Sequence, residues 1–162
     1  SCEYWKDFEN TMIAWGNLAT APQFTLVKGG FFISAPATFI VSDSKFLLAL
    51  LNSQVTRYLV SQSAAERQGG FMEFKPMYVS PLSVPAASNS QQDAIVKLVD
   101  RILATKQKNA EANISMLEQQ INNHIFKLYE LTSEEIAIIN KYQENRAQPI
   151  PDQMRIAEKV IG

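Results

Sequence analysis

The texture of the sequence changes near residue 88. Residues 1–88 hold five of the seven prolines and five of the six glycines, and residues 89–162 contain no glycine before Gly162. Glycine and proline punctuate turns and end helices. Tight turns and short elements therefore belong to the first segment, and the second is free to run as helix. The junction, Pro81-Leu-Ser-Val-Pro85-Ala-Ala-Ser-Asn-Ser90, is itself turn-forming. The expectation is an α+β fold: a mixed α/β globule over 1–88, a helical brace over 89–146 and a C-terminal tail over 147–162.

Local periodicity fills in this outline. Gln23–Lys28 alternates, Gly29-Gly30 interrupts, and Phe31–Ser34 resumes, which predicts a hairpin about the glycine pair. Thr38–Val41 is a third short strand. Beyond a Ser42 or Asp43 cap, the apolar positions Phe46, Leu47, Leu50, Leu51, Val55, Tyr58 and Leu59 have helical spacing over 45–61. That helix should end before Gln68-Gly69-Gly70, and Phe71–Val79 reads as an edge strand or extended loop interrupted by Pro76.

In the second segment Ile95, Leu98, Val99, Ile102 and Leu103 mark a helix from about Gln91. The polar run Thr105–Asn109 weakens its stripe, and the stripe returns at Ile114, Leu117, Ile121, Ile125 and Leu128. A break over 108–114 is expected. Ser115-Met-Leu-Glu118 and Thr132-Ser-Glu-Glu135 both match a capping box. The second should start a short helix through Ile136, Ile139 and Tyr142, ended by Pro149 and Pro151, with a loose terminal helix over 152–161.

Composition narrows the chemistry. One cysteine, Cys2, excludes a disulfide framework within the chain, and with Cys2 at the start and the one histidine, His124, inside a helix, no zinc or Cys–His site is expected. The longest apolar run, Phe46–Leu51, is six residues, against the roughly 18 that suggest a membrane span. No basic stretch leading into an apolar one opens the sequence, so no secretory signal and a cytoplasmic location are expected. The sequence starts at Ser1, so a piece of a longer protein is expected. Charge is balanced, with 15 basic and 16 acidic side chains, so no basic block announces a nucleic-acid partner.

Three groups of residues could carry function. Arg67-Gln68-Gly69-Gly70 joins a cation and an amide, which can read base edges, to two glycines that let backbone approach a phosphate; a plain helix end with a flexible loop has the same pattern. Aromatic residues Tyr4, Trp5, Phe8 and Trp15 could stack on bases or simply form core. Glu73-Phe-Lys75 has the Glu-x-Lys spacing of metal-dependent nucleases, but a three-residue pattern with a free middle position recurs by chance, and Asp43 is not an obvious second acid. The stripe from Ile95 to Leu128 could be a partner-binding seam or an internal brace.

Longer words in the sequence then align. Phe8-Glu9, Ile13-Ala14-Trp15, Pro22-Gln23-Phe24, Gly30-Phe31-Phe32 and Phe39-Ile40-Val41 precede Phe46-Leu-Leu-Ala-Leu-Leu-Asn52-Ser53. Phe74-Lys75, Tyr78-Val79 and Leu82-Ser83-Val84-Pro85 follow, and then the helical word Leu128-Tyr129-Glu130-Leu131-Thr132-Ser-Glu-Glu135-Ile136. In this order, over about residues 4–142, the chain resembles the TaqI-like C-terminal specificity domain. Such domains end type IIG restriction–modification enzymes and related adenine-specific DNA methyltransferases. The resemblance implies that double-stranded DNA is the partner and that this chain does no chemistry. It also implies that S-adenosylmethionine belongs to an upstream methyltransferase domain, and Mg2+ to the nuclease domain that such proteins often carry too. DNA-facing candidates are Lys28 in the hairpin, Arg67 and Gln68 in the glycine loop, and Lys75; Arg57 is expected to be a solvated charge. Two positions depart from the family. Met12 stands where it usually has a basic residue. Glu130 stands where it often has glycine, which predicts passage from Tyr129 to Thr132 without a left-handed cap. The alternative reading is a helical protein-interaction module that does not bind DNA.

Overall fold

The short segment Met12–Gly16 forms the middle of the molecule's main sheet. In the computed structural model, which describes the backbone of residues 3–65 and 67–147 and the side chains of 6–65 and 67–145, this segment is strand β1. The remaining strands are β2 (Leu18–Ala19), β3 (Thr25–Val27), β4 (Ala37–Val41) and β5 (Met72–Glu73). The α-helices among the described residues are α1 (Lys45–Leu51), α2 (Gln54–Ser63), α3 (Pro76–Val79), α4 (Asn89–Lys108), α5 (Ser115–Leu128) and α6 (Ser133–Ala147). The fold is α+β: helices packed with small antiparallel sheets.

β1 pairs antiparallel with β3 (Ile13 opposite Leu26) and with β4 (Ile13 opposite Ile40), giving the order β3-β1-β4. Met12, Ile13, Ala14 and Trp15 are all buried, because both faces of this central strand are covered. Their burial leaves no polar–apolar alternation for the sequence to display. Met12 is fully buried, so the position where the resembling family has a basic residue lies inside this protein and offers no phosphate contact. β2 pairs with β5 as a second, two-stranded ladder. The Trp15 Nε1–H donates to the Phe74 carbonyl at 2.6 Å, and the Phe74 N–H donates to the Asn17 carbonyl at 2.8 Å, tying the two ladders together.

The expected hairpin about Gly29-Gly30 does not form. β3 pairs with β1, and residues 31–34 are not a strand. The glycine pair serves a close approach instead. The Gly30 N–H donates to the Phe8 carbonyl at 2.6 Å, and a Cβ on Gly29 would lie 2.0 Å from the Glu9 carbonyl oxygen.

The predicted helix over 45–61 is two helices. The Ser44 side chain accepts from the Leu47 N–H to start α1, and Ser53 accepts from the Thr56 N–H to start α2. Asn52, at the break, bonds both backbone groups of Phe24 at 2.9 Å. Phe71–Val79 is not one extended run: β5 occupies two residues and Pro76 begins α3, where its missing N–H costs no helical bond.

The helical segment breaks where expected, between Lys108 and Ser115. α4 starts with a reciprocal box of Ser88 and Gln91. The box expected at Ser115–Glu118 is absent: Ile114 is the cap residue, and Asn113 Oδ1 accepts from the Ser115 N–H at 2.9 Å. The box at Thr132 is present, with the Thr132 N–H on Glu135 Oε2 at 2.8 Å and the Glu135 N–H on Thr132 Oγ1 at 3.3 Å. α5 does end in a left-handed residue, contrary to expectation. Glu130 has φ 53°, with the Leu131 N–H on the Phe126 carbonyl at 3.0 Å and the Glu130 N–H on the Lys127 carbonyl at 3.1 Å. These are the paired bonds of a Schellman motif.

Ile95 of α4 and Ile125 of α5 are fully buried in one cluster with Ile13, Val60, Met72 and Phe74. The helical half thus completes the core of the first half. Burying each such side chain contributes roughly 1.5–3 kcal/mol. A Lys45–Asp100 ion pair joins α1 to α4 at the surface. No helix among the described residues is long and apolar enough to cross a membrane. The expected helix over 152–161, and the tail beyond Ala147, lie outside the described residues.

Candidate nucleic-acid interface

Three of the four expected DNA-facing residues fall on one stretch, from the end of α2 to the start of α3. α2 stops at Ser63, with Ala64 extended as its cap. The chain then closes a small loop in which the Arg67 N–H donates to the Phe71 carbonyl at 2.7 Å. Gln68–Gly70 makes a single 3-10 turn, with Gly69 at φ 79° and Gly70 at φ 76°. Both glycines adopt the left-handed region that a side chain would disfavour, so the pair shapes the turn and returns the chain directly into β5. The loop is therefore built, and is more than a helix end with slack behind it.

From Met72 to Lys75 the backbone is extended, so side chains alternate. Met72 and Phe74 are each 1% exposed and enter the core. Glu73 and Lys75 share the opposite side. The Glu73 carboxylate is nearly covered, and two cations cover it. Arg67 donates to Oε1 through both Nε (3.0 Å) and Nη2 (2.6 Å), and Lys75 Nζ lies 3.0 Å from Oε2. The cations themselves stay open to solvent, with side-chain exposure of 58% for Arg67 and 46% for Lys75 against 10% for Glu73. The hydrogen bond from Arg67, and after it the one from Lys75, holds the Glu73 carboxyl below the usual carboxylate range, against a smaller upward push from burial. The same hydrogen bond raises Arg67 further above its ordinary value.

The structure thus brings Arg67 and Lys75 together on Glu73, with Gln68 next to Arg67 in the turn, and ties Lys28 to none of them. Gln68 is exposed beside Arg67. Lys28 is exposed just past β3 on the other sheet, and no hydrogen bond or ion pair among the described residues ties it to the cluster. Arg57 is not a solvated charge: it donates to Gln143 Oε1 at 2.7 Å and to the Thr20 carbonyl at 3.0 Å, clamping α2 to α6. It borders a cleft of about 690 Å3 where α1, α2, α4 and α5 meet. Two of the amides there are engaged inside the fold, Asn52 with Phe24 and Asn122 with the Gln54 N–H at 2.9 Å.

Sequence reasoning missed the part Glu73 plays. Its i, i+2 relation to Lys75 was visible, but the return of Arg67 onto the same carboxylate depends on the loop closure. In the fold that carboxylate is taken up by two cations. Among the described residues no three His, Cys, Asp or Glu side chains gather into a metal-binding group. Of the aromatic residues considered for stacking, Trp15 is core, packed on Phe24 at 5.0 Å between ring centroids, and Phe8 packs on Phe32 and Phe39 at 5.0 and 5.2 Å. The side chains of Tyr4 and Trp5 lie outside the described residues. In comparisons with known proteins, the chain matches no family model and no curated sequence.

Proposed function

We propose that this chain is a DNA sequence-recognition domain of the type IIG restriction–modification kind. It holds duplex DNA so that an upstream S-adenosylmethionine-dependent adenine methyltransferase domain of the same longer protein can act on it, together with a nuclease domain where the parent carries one. The observation that carries this reading is the glycine loop: Arg67 and Gln68 exposed on a closed turn, with Lys75 fixed beside them through Glu73. Arginine and glutamine are the side chains whose paired polar atoms match guanine and adenine edges, and lysine suits the phosphate backbone. The order of family-like words over 4–142 and the mixed α+β architecture support the same reading. Lys28 would be a separate backbone contact.

A net charge of −1 is compatible with this role if phosphate contacts are shared with the catalytic domains. A few base-reading side chains can carry specificity while the general attraction comes from elsewhere. The alternative, a helical protein-interaction module, has less to work with. Ile95, Leu98, Val99, Ile121 and Ile125 of the stripe it would present are buried in the chain's own core, and Leu103 is its exposed member.

The test is binding of fluorescent duplex DNA by the chain over a salt series. The reading predicts weak binding at low salt that falls as salt rises, with a slope of about 0.9 for each phosphate contacted. No binding at low salt would overturn it. Magnesium-dependent cleavage by this chain alone, lost in Glu73→Gln, would replace it with a nuclease built on Glu73 and Lys75.

A further inference from the structure

The way Arg67 is held says more than that it is basic. A guanidinium has two edges for bidentate bonding: the side edge of Nε and one Nη, and the end edge of both Nη atoms. Glu73 takes the side edge, with Nε and Nη2 both on Oε1. Nη1 and the outer hydrogen of Nη2 bond to no described residue, and the side chain is 58% exposed. Lys75 holds the other oxygen of the same carboxylate, a contact that opposes its turning with Arg67. The Arg67 backbone is locked as well, by its bond to Phe71. The result is an arginine whose plane and direction are fixed before any ligand arrives.

A carboxylate in this place works against phosphate binding. It cancels one of two cations and repels the phosphate itself. Phosphate contact also needs little directionality, and a free lysine or arginine would serve. A neutral base edge is not repelled, and it does reward a fixed plane, because two parallel hydrogen bonds form only at the right angle. In the major groove, guanine presents two neighbouring acceptors, O6 and N7, which match the two donors of an arginine fork. Resting on the DNA-recognition reading, we infer that Glu73 is a positioning residue that aims the outer edge of Arg67 at a guanine in the major groove, with Lys75 bracing the carboxylate from its other side.

The experiment selects duplexes from a pool with a randomised central segment, at low salt, using the full 162-residue chain and its variants. The wild type should enrich a motif with an invariant G·C pair. Arg67→Lys keeps the charge and loses the fork, so it should relax preference at that pair by roughly 5- to 150-fold and leave the salt slope unchanged. Glu73→Gln keeps the shape and loses the charge, so it should relax the same pair without weakening binding to random duplex. Should Glu73→Gln fail to fold by circular dichroism, Glu73→Asp, which retracts the carboxylate, takes its place with the same expectation. A motif whose every position survives in these variants overturns the inference and leaves DNA recognition standing. Relaxation by Arg67→Lys alone overturns the part given to Glu73. A wild type that enriches no motif overturns the recognition reading and this inference together.

Discussion

Glu130 ends α5 in a conformation that its side chain disfavours. Its φ of 53° allows both bonds of the cap, the Leu131 N–H to the Phe126 carbonyl and its own N–H to the Lys127 carbonyl. The left-handed region costs a residue with a Cβ about 1–2 kcal/mol. Glycine there removes that strain but adds about 0.5–1 kcal/mol of unfolded-state entropy. Taking mid-range values, the balance favours glycine by about 0.5–1 kcal/mol. Glu130 is also an exposed acid at a helix C-terminus, where a negative charge is unfavourable by about 0.3–1 kcal/mol. Two substitutions separate the effects. Glu130→Ala removes the charge and keeps the strain; Glu130→Gly removes both. In urea denaturation with an unchanged m-value, Gly should exceed Ala by about 0.5–1 kcal/mol, or about 1–4 °C in a chain of this size. A Gly variant no more stable than the Ala variant would refute the strain argument.

Trp15→Phe removes the donor to the Phe74 carbonyl inside the core, and should cost at least about 2 kcal/mol in the same denaturation assay; a change under about 0.5 kcal/mol would show that this bond does not join the two ladders. Gly29→Ala must move backbone at Glu9, since the new Cβ would sit 2.0 Å from its carbonyl oxygen. It should destabilise by about 2 kcal/mol or more, whereas Gly16→Ala, with nothing within 4 Å, should be nearly neutral; equal effects would contradict the close-approach explanation. Because folding lowers the pKa of Glu73, the stabilisation from its clamp is fully present above the ordinary carboxylate range and lost as pH falls through the depressed folded value. The difference in urea midpoint between wild type and Glu73→Gln should therefore close on acidification, and a difference independent of pH would count against the clamp.

Helical features were the most legible in the sequence, because their signals are local. The break between Lys108 and Ser115 and the reciprocal box at Thr132 follow from polar runs and side-chain spacing alone. Ser115 shows where such signals fail: the cap position fell one residue earlier, and Asn113 supplied the acceptor. The sheet was harder to read. β1 is buried on both faces and carries no alternation, and Gly29-Gly30 looks like a hairpin turn until the approach to Phe8 and Glu9 is known. Around the candidate site, Arg67, Gln68 and Lys75 could be singled out by residue type. The convergence of Arg67 and Lys75 on Glu73, and the placing of Lys28 on the other sheet, depend on strand pairing and loop closure between distant residues.

The central claim is that Arg67 and Lys75 meet DNA. Its most direct measurement is the salt dependence of duplex binding by the wild-type chain beside a double variant, Arg67→Ala with Lys75→Ala. The account predicts weaker binding by the variant, through loss of the Arg67 base contact, and a salt slope shallower by at most about 0.9, for the single phosphate that Lys75 would neutralise. Identical affinity and slope in the two proteins would contradict it.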